Sequence, residues 1–380
     1  MTAASLTAIL AVLFAGVSLW VAPALTRPTL QFGVRVPPQH TGDPVIRRER
    51  RGYYWRAAAV LLTSAAAALA LAGSGLAAWA AIVLPGELAA DFGCFWLARR
   101  RITAVKDAQD WFAGLKQRVA IDTSWRTEPL RYPVKWLIPP VAVLVATAVI
   151  GAARYPDLPS RVATGFAASG AADRWAAKSL WNSFAKVAGQ LWVTGLWAGL
   201  LLIIYRSRPD TDAGEEGGSS RRYRSFLGTY ARAVLVLVTL VNVSLLLAAL
   251  RTWQVYRLSG IAAALPVLPA AIGLVILLGV AVRTGQAGSR LAGPAGAGGL
   301  AGGGGAAGGG GAAGAVNRDD DRFWKGGLIY INRDDPAIMV GNRFGVGWTP
   351  NLGNPKGLLL YGGIAAVIIG LIVVRVLLAG

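Results

Sequence analysis

Two carboxylates, Glu87 and Asp91, stand four residues apart inside an apolar stretch. That spacing puts both on one face of a helix. A charge near the middle of a bilayer costs about 2.5–3.5 kcal/mol on insertion scales. An acid there binds an ion, relays protons or, when protonated or paired, holds helices together. Pro85 and Gly86, just before the pair, can open the helix and free backbone carbonyls. Arg232, one turn inside another apolar stretch, is a candidate partner for Asp91, and Asn242 on the same stretch is a candidate interhelical hydrogen bonder. A second candidate set lies in the connector 153–184: Pro156, Asp157, Pro159, Phe166, Gly170, Asp173, Arg174 and Lys178. Its charges suit a peptide ligand. Its prolines and glycine equally suit a connector folded on its own turns, with Asp173 and Lys178 as a solvated pair. A third set, Phe323, Trp324, Tyr330, Asp334, Asp335, Phe344 and Trp348, belongs to a polar-aromatic block near the C-terminus. These residues read as a face that docks on the membrane surface, on other loops or on a partner.

The chain has one histidine, His40, and one cysteine, Cys94. That excludes an internal disulfide and a multi-cysteine zinc site, and leaves no nucleophile, base and orienter set. His40 reads as a surface loop residue and Cys94 as a small buried one. The triplet Asp319, Asp320 and Asp321 is either a cation site or a solvated acidic start offset by Arg318 and Arg322. No enzyme activity and no cofactor are expected.

The elements that position these residues follow from composition. Of 380 residues, 54% are hydrophobic and 15% charged. Soluble domains carry about 25% charged residues, and disordered chains need low hydrophobicity, so both classes are excluded. Crossing a hydrocarbon core of about 30 Å takes about 20 helical residues. Eight stretches qualify or nearly so: 3–23, 55–72, 76–98, 134–153, 185–205, 229–250, 261–282 and 357–378. The break Gly73, Ser74, Gly75 makes the second and third a tight hairpin. The expected fold is all-α: a polytopic helical membrane protein of about eight transmembrane helices, plus a small tethered cytoplasmic domain with little β structure. Its parts are a three-span region 1–133 with basic loops, a two-span unit 134–205 carrying the connector 153–184, a two-span region 206–284, a Gly/Ala linker 285–315 holding 15 glycines, a small domain 316–356 and a last helix 357–380.

Charge placement sets the expected topology. Net charge is +19, and of 38 Lys and Arg, 29 fall in segments 26–56, 99–135, 206–228 and 283–357 against six in 153–184 and 251–260. The positive-inside bias then puts the four basic segments in the cytoplasm and both termini outside a multi-pass cell-membrane protein. Topology accounts for the charge, so the bilayer is the expected partner and nucleic acid is not. The first stretch lacks a basic residue ahead of its apolar core and reads as an uncleaved anchor. Trp20, Trp55, Trp96, Trp136 and Trp253 fall near span ends, where headgroups favour indoles. Ile102, Val105, Ala108, Phe112, Leu115 and Val119 recur at helical spacing, for a helix lying on the inner leaflet or packed on neighbouring loops.

Tyr155, Pro156, Asp157, Leu158 and Pro159, followed by Phe166, Gly170, Asp173 and Lys178, resemble the extracytoplasmic loop of domain of unknown function 1648, found in the SdpI-like immunity membrane proteins. The chain departs from that pattern at Ala163, where proline is usual, and at Gly165, where histidine is usual. The runs Asp-Arg-Phe-Trp-Lys at 321–325, Tyr-x-Asn-x-Asp-Asp-Pro at 330–336 and Arg-Phe-Gly-x-Gly-Trp-Thr-x-Asn at 343–351 resemble the C-terminal domain of unknown function 5808 of bacterial membrane proteins. Phe-Gly-Val-Arg-Val-Pro at 32–37 is similar to the same proteins. The resemblance implies a non-enzymatic bacterial membrane protein that senses or resists an extracellular peptide or stress and signals to a cytoplasmic regulator. Two further readings stay open: an ion-coupled transporter using Glu87 and Asp91, and a scaffold whose tethered domain recruits a soluble partner.

Overall fold

A computed structural model describes residues 3–74, 80–113, 130–167, 170–207, 218–291, 318 and 320–377. The apolar stretches form eight long helices among these residues: α1 (Ala3–Leu25), α2 (Pro44–Gly73), α3 (Ala80–Ala108), α4 (Ile138–Arg154), α5 (Leu180–Arg206), α6 (Gly218–Thr252), α7 (Leu268–Thr284) and α8 (Pro355–Leu377). Caps explain where two begin. Asp43 accepts from Val45 N at 2.9 Å with Pro44 in the first turn of α2, and Ser179 Oγ accepts from Asn182 N at 3.1 Å at the start of α5.

Six spans in the described residues are long and apolar enough to cross a membrane: Leu6–Leu25, Pro44–Ala72, Val134–Arg154, Leu180–Arg206, Arg221–Thr252 and Ala262–Gly288. This is the pattern of a multi-pass membrane protein. The count falls short of the eight expected from sequence. Helix α3 dilutes its apolar run with Glu87, Asp91 and the triplet Arg99, Arg100 and Arg101, and the side chains of α8 from 367 onward lie outside the described ones.

Helices α1, α2 and α3 pack on one another. Helix α6 packs on α4, α5 and α7, and α1 joins the two groups by touching α7 and the turn Gly260–Val267. Large apolar side chains point outward, with Leu62, Ile82, Val149, Leu191 and Val275 all more than half exposed, while Glu87, Asp91, Gln190 and Asn242 are buried. That inversion suits a lipid surround, where acyl chains meet the apolar face and polar groups turn inward. Trp20, Trp55, Trp96 and Trp136 face outward, as a headgroup belt requires. Trp253 does not: it is buried, its Nε1 donating to Ser183 O at 2.9 Å and its ring filling the space over Gly151.

The two ends of the bundle differ. One end, the basic end, gathers β1 (Leu30–Gln31) and β2 (Val34–Arg35), the close of α3, the turn Gln286–Gly288 and the C-terminal block, with hairpins β5 (Trp324–Lys325)–β6 (Ile329–Tyr330) and β7 (Met339–Gly341)–β8 (Trp348–Pro350). Among the residues at helical spacing from 102, α3 carries Ile102 and Val105 into a cluster with Phe32, Tyr53 and Trp111, so these two pack on neighbouring elements of the chain. Leu115 and Val119 lie outside the described residues. Of the Gly/Ala stretch, 285–291 is folded: Gln286 is buried and its Oε1 accepts from Arg27 N at 2.9 Å. Residues 292–317 lie outside the description.

At the other end, the hairpin end, the connector forms an antiparallel β-hairpin, β3 (Arg161–Phe166) and β4 (Ala172–Ala177), with a register shift between Ala163 and Gly165. The sequence leads one to expect turns here, and the two strands are found only in the structure. Val162 is buried with Leu158, Ala249 and Trp253, and this contact with α6 fixes which strand face points inward.

Candidate functional site

On α3, Glu87, Asp91, Phe95, Ala98 and Ile102 form one stripe, all buried, while Ile82, Leu88, Phe92 and Trp96 face outward. Glu87 is 1% exposed and Asp91 2%. None of their four carboxylate oxygens has a hydrogen-bond partner among the described residues. Glu87 lies against α1 where Gly16 leaves room: a Cβ at Gly16 would land on Glu87 Oε1. The expected pair of Asp91 with Arg232 does not form. Arg232 is exposed on α6, in the other helix group, and its Nε donates to Gly228 O one turn back at 2.9 Å.

Asn242 joins three helices. Its Nδ2 donates to Pro140 O at 3.0 Å on α4 and to Thr194 Oγ1 at 2.9 Å on α5. Its own carbonyl accepts from Gln190 Nε2 at 2.8 Å, which also donates to Thr147 Oγ1 at 2.9 Å. Sequence reasoning singled out Asn242 and missed Gln190, Thr147 and Thr194. Their signal was available, since each is a polar side chain within an apolar span.

In the hairpin end, Lys178 does not pair with Asp173. Its Nζ donates to Pro156 O at 3.1 Å and Leu158 O at 3.0 Å and sits 4.8 Å from the Tyr155 ring centroid, so it staples the proline turn to the far strand. Asp173 instead lies 3.9 Å from the Arg174 guanidinium, both solvent-facing. Asp157 and Pro159 are exposed in the same turn. Phe166 and Gly170 meet a residue that sequence reasoning did not name as a site. Arg251 of α6 stacks 3.9 Å from the Phe166 ring centroid and donates from Nη2 to Gly170 O at 2.7 Å and from Nη1 to Ala263 O at 3.3 Å. Gly170 has φ +90°, and a Cβ there would strike Leu258 O, so the turn demands glycine.

The third candidate set is largely not a free surface. Trp324, Tyr330 and Asp335 are buried inside the C-terminal block. Asp335 accepts from Arg318 Nε at 2.7 Å, Tyr330 Oη at 3.1 Å and Ala337 N at 2.9 Å. Phe344 packs with Phe95 at 4.7 Å and with Phe32 at 6.1 Å between centroids, and Trp348 packs with Phe226 at 5.8 Å and Tyr230 at 5.4 Å. Phe323 is half-buried over Tyr330, and Asp334 remains exposed. The reason is size: a block of about forty residues buries too little apolar surface alone and completes its core against the rest of the chain.

Asp321 is the ionic centre of that docking. It pairs with Arg343, whose side chain is almost wholly buried, and with Lys106 Nζ at the end of α3. Arg343 Nη1 also donates to Gly33 O at 3.1 Å. Burial works against the charged form of Asp321, but Arg343 and Lys106 outweigh it and hold the carboxyl below the usual range. Burial likewise opposes the Asp335 carboxylate, and the Arg318 hydrogen bonds overcome it and lower that group too. Asp320 caps Arg322 N at 3.0 Å, and Asp319 lies outside the described residues.

Residues 142–186 match a domain of unknown function (DUF1648), and residues 333–358 match a family of unknown function (DUF5808). The first match runs from the middle of α4 through the hairpin into α5. The second begins in the turn before Asp334 and ends at the start of α8. No curated protein and no solved structure matches the chain.

Proposed function

We propose that the protein is a non-enzymatic bacterial membrane sensor of the SdpI-like kind, detecting or resisting an extracellular peptide at the hairpin end and signalling at the basic end in the cytoplasm. One observation carries this reading: α6 touches both matched segments. Near its C-terminus Arg251 holds Phe166 and Gly170, and near its N-terminus Phe226 and Tyr230 hold Trp348. At 1.5 Å per residue the two contacts stand about 32–38 Å apart along the helix, somewhat more than a hydrocarbon core of about 30 Å. A ligand that displaces the hairpin acts on Arg251, and a shift or rotation of α6 changes the seat of Trp348. Small movements of a packed helix are an established way of carrying a signal.

The exposed turn and strand residues Asp157, Arg161, Asp173, Arg174 and Trp175 supply both charge signs and an aromatic surface for a peptide. The docked block is the output, and its release exposes Phe344 and Trp348 to a cytoplasmic regulator. Cells with and without the gene are exposed to candidate toxic peptides, and hydrogen exchange over 339–351 is followed in the purified protein. Gene-dependent survival together with altered exchange on peptide addition supports the reading. Equal survival and unchanged exchange remove it.

A further inference from the structure

We propose that Glu87 and Asp91 form a proton-binding site buried between α1, α2 and α3. This is independent of the sensing reading. Helix α3 turns its acids toward the helix interface and its largest apolar side chains outward, the reverse of what solvation in water would favour. Both acids are almost wholly buried, and all four oxygens lack a hydrogen-bond partner among the described residues. An unpaired buried carboxylate is expensive, and taking a proton removes the charge.

Among the described residues no cation pairs with either acid, although Arg56 of α2 lies against Cys94, one turn on from Asp91. Helix α1 contains no ionisable side chain. From α2, the Tyr53 hydroxyl is committed to Leu19 O at 2.9 Å, and Arg56 Nη2 lies 3.5 Å from Glu49. From α3 itself, Cys94 is the nearest other titratable group in the chain, one turn on from Asp91. Gly16 opens a notch in α1 that accommodates Glu87 Oε1. A bound metal ion needs a fuller shell, about six oxygens for a hard cation. Helix α1 contributes no carboxylate or amide to such a shell, and its Ser18 Oγ is committed to Phe14 O at 2.6 Å, so the proton is the ligand that fits.

The test uses the full chain in proteoliposomes and dicyclohexylcarbodiimide, a membrane-soluble reagent that traps protonated carboxyl groups in apolar surroundings. Mass spectrometry is expected to find the adduct on Glu87 or Asp91. Labelling should fall about tenfold for each pH unit once the proton is lost. Gly16→Ala, which crowds Glu87 and Leu61 but not Asp91, should lower labelling at Glu87 and spare Asp91. Glu87→Gln and Asp91→Asn should each abolish the adduct at the changed position. If either variant fails to reach the membrane, the adduct position and its pH profile in the unaltered chain decide. No adduct on folded protein, or labelling indifferent to pH, overturns the proposal. Protection by sodium or calcium at constant pH overturns it in favour of a metal cation.

Discussion

The ring of Phe344 stacks on that of Phe32 with 6.1 Å between centroids and 28° between planes. Each ring precedes a glycine with positive φ, Gly345 at +75° and Gly33 at +71°, in the two copies of Phe-Gly-Val. The two tripeptides form turns folded against each other, with Arg343 donating to the carbonyl of Gly33. Tyr53 and Phe95 close the cluster from α2 and α3. This contact seats the C-terminal block on the helices.

Phe344→Ala should therefore undock the block. Removing a largely buried phenylalanine costs about 3–5 kcal/mol in a full core, and somewhat less here because the ring is only partly buried. Phe32→Ala should do the same, and the double variant should fall short of the sum, because the two rings share one contact. Hydrogen exchange over 320–351 measures all three, and unchanged protection would contradict the seating.

Docking should weaken in acid. Asp321 has a lowered folded-state value, so its contribution to docking is complete above the ordinary carboxylate range, about pH 4, and is lost as pH falls through the lowered value; Asp335, also lowered, acts with the same sign on the fold of the block itself. Asp321→Asn should remove part of that pH dependence and leave Arg343 buried without its carboxylate. The expected cost is about 1–3 kcal/mol at neutral pH, below the range for a fully buried pair because Asp321 is partly exposed. Exchange of the block followed from neutral pH downward checks the sign.

The polar joint of α4, α5 and α6 should be modest in energy. Asn242→Leu removes two side-chain donations and Gln190→Leu removes two others, each worth on average about 0.6 kcal/mol in a membrane interior. Each variant should lose about 1 kcal/mol in detergent-titrated unfolding, before any compensating gain from the apolar replacement. Loss of assembly by either variant would show that the joint has a larger role.

Arg251 should not be replaceable by lysine. Its planar fork reaches Gly170 O and Ala263 O while stacking on Phe166, and an ammonium cannot do all three. Arg251→Lys and Arg251→Ala should both raise exchange across 161–177, with alanine the larger effect. If the outer hairpin signals through α6, both should also change protection around Trp348. A change confined to the hairpin would leave Arg251 as a local staple.

By itself the sequence determined the long apolar segments, the split of basic residues between connectors and the burial of acids in a greasy helix. These properties depend on composition along a short run of chain and on the chemistry of a hydrocarbon slab. It also singled out Asn242 as a helix joiner, because an amide in an apolar span has few other options. What met what was decided only in three dimensions. Arg232 and Asp91 looked like partners because both are charges inside apolar stretches, yet their helices belong to different packing groups. Lys178 was set beside Asp173 by nearness in sequence, while the hairpin's fold gives it two backbone carbonyls instead. Arg251 drew no notice as one more basic residue near a span end. Asp321 passed for a solvated acid until Arg343 and Lys106, from distant parts of the chain, closed around it. Hydrophobic patterning reports which face of an element avoids water, and carries no information about which other element covers it.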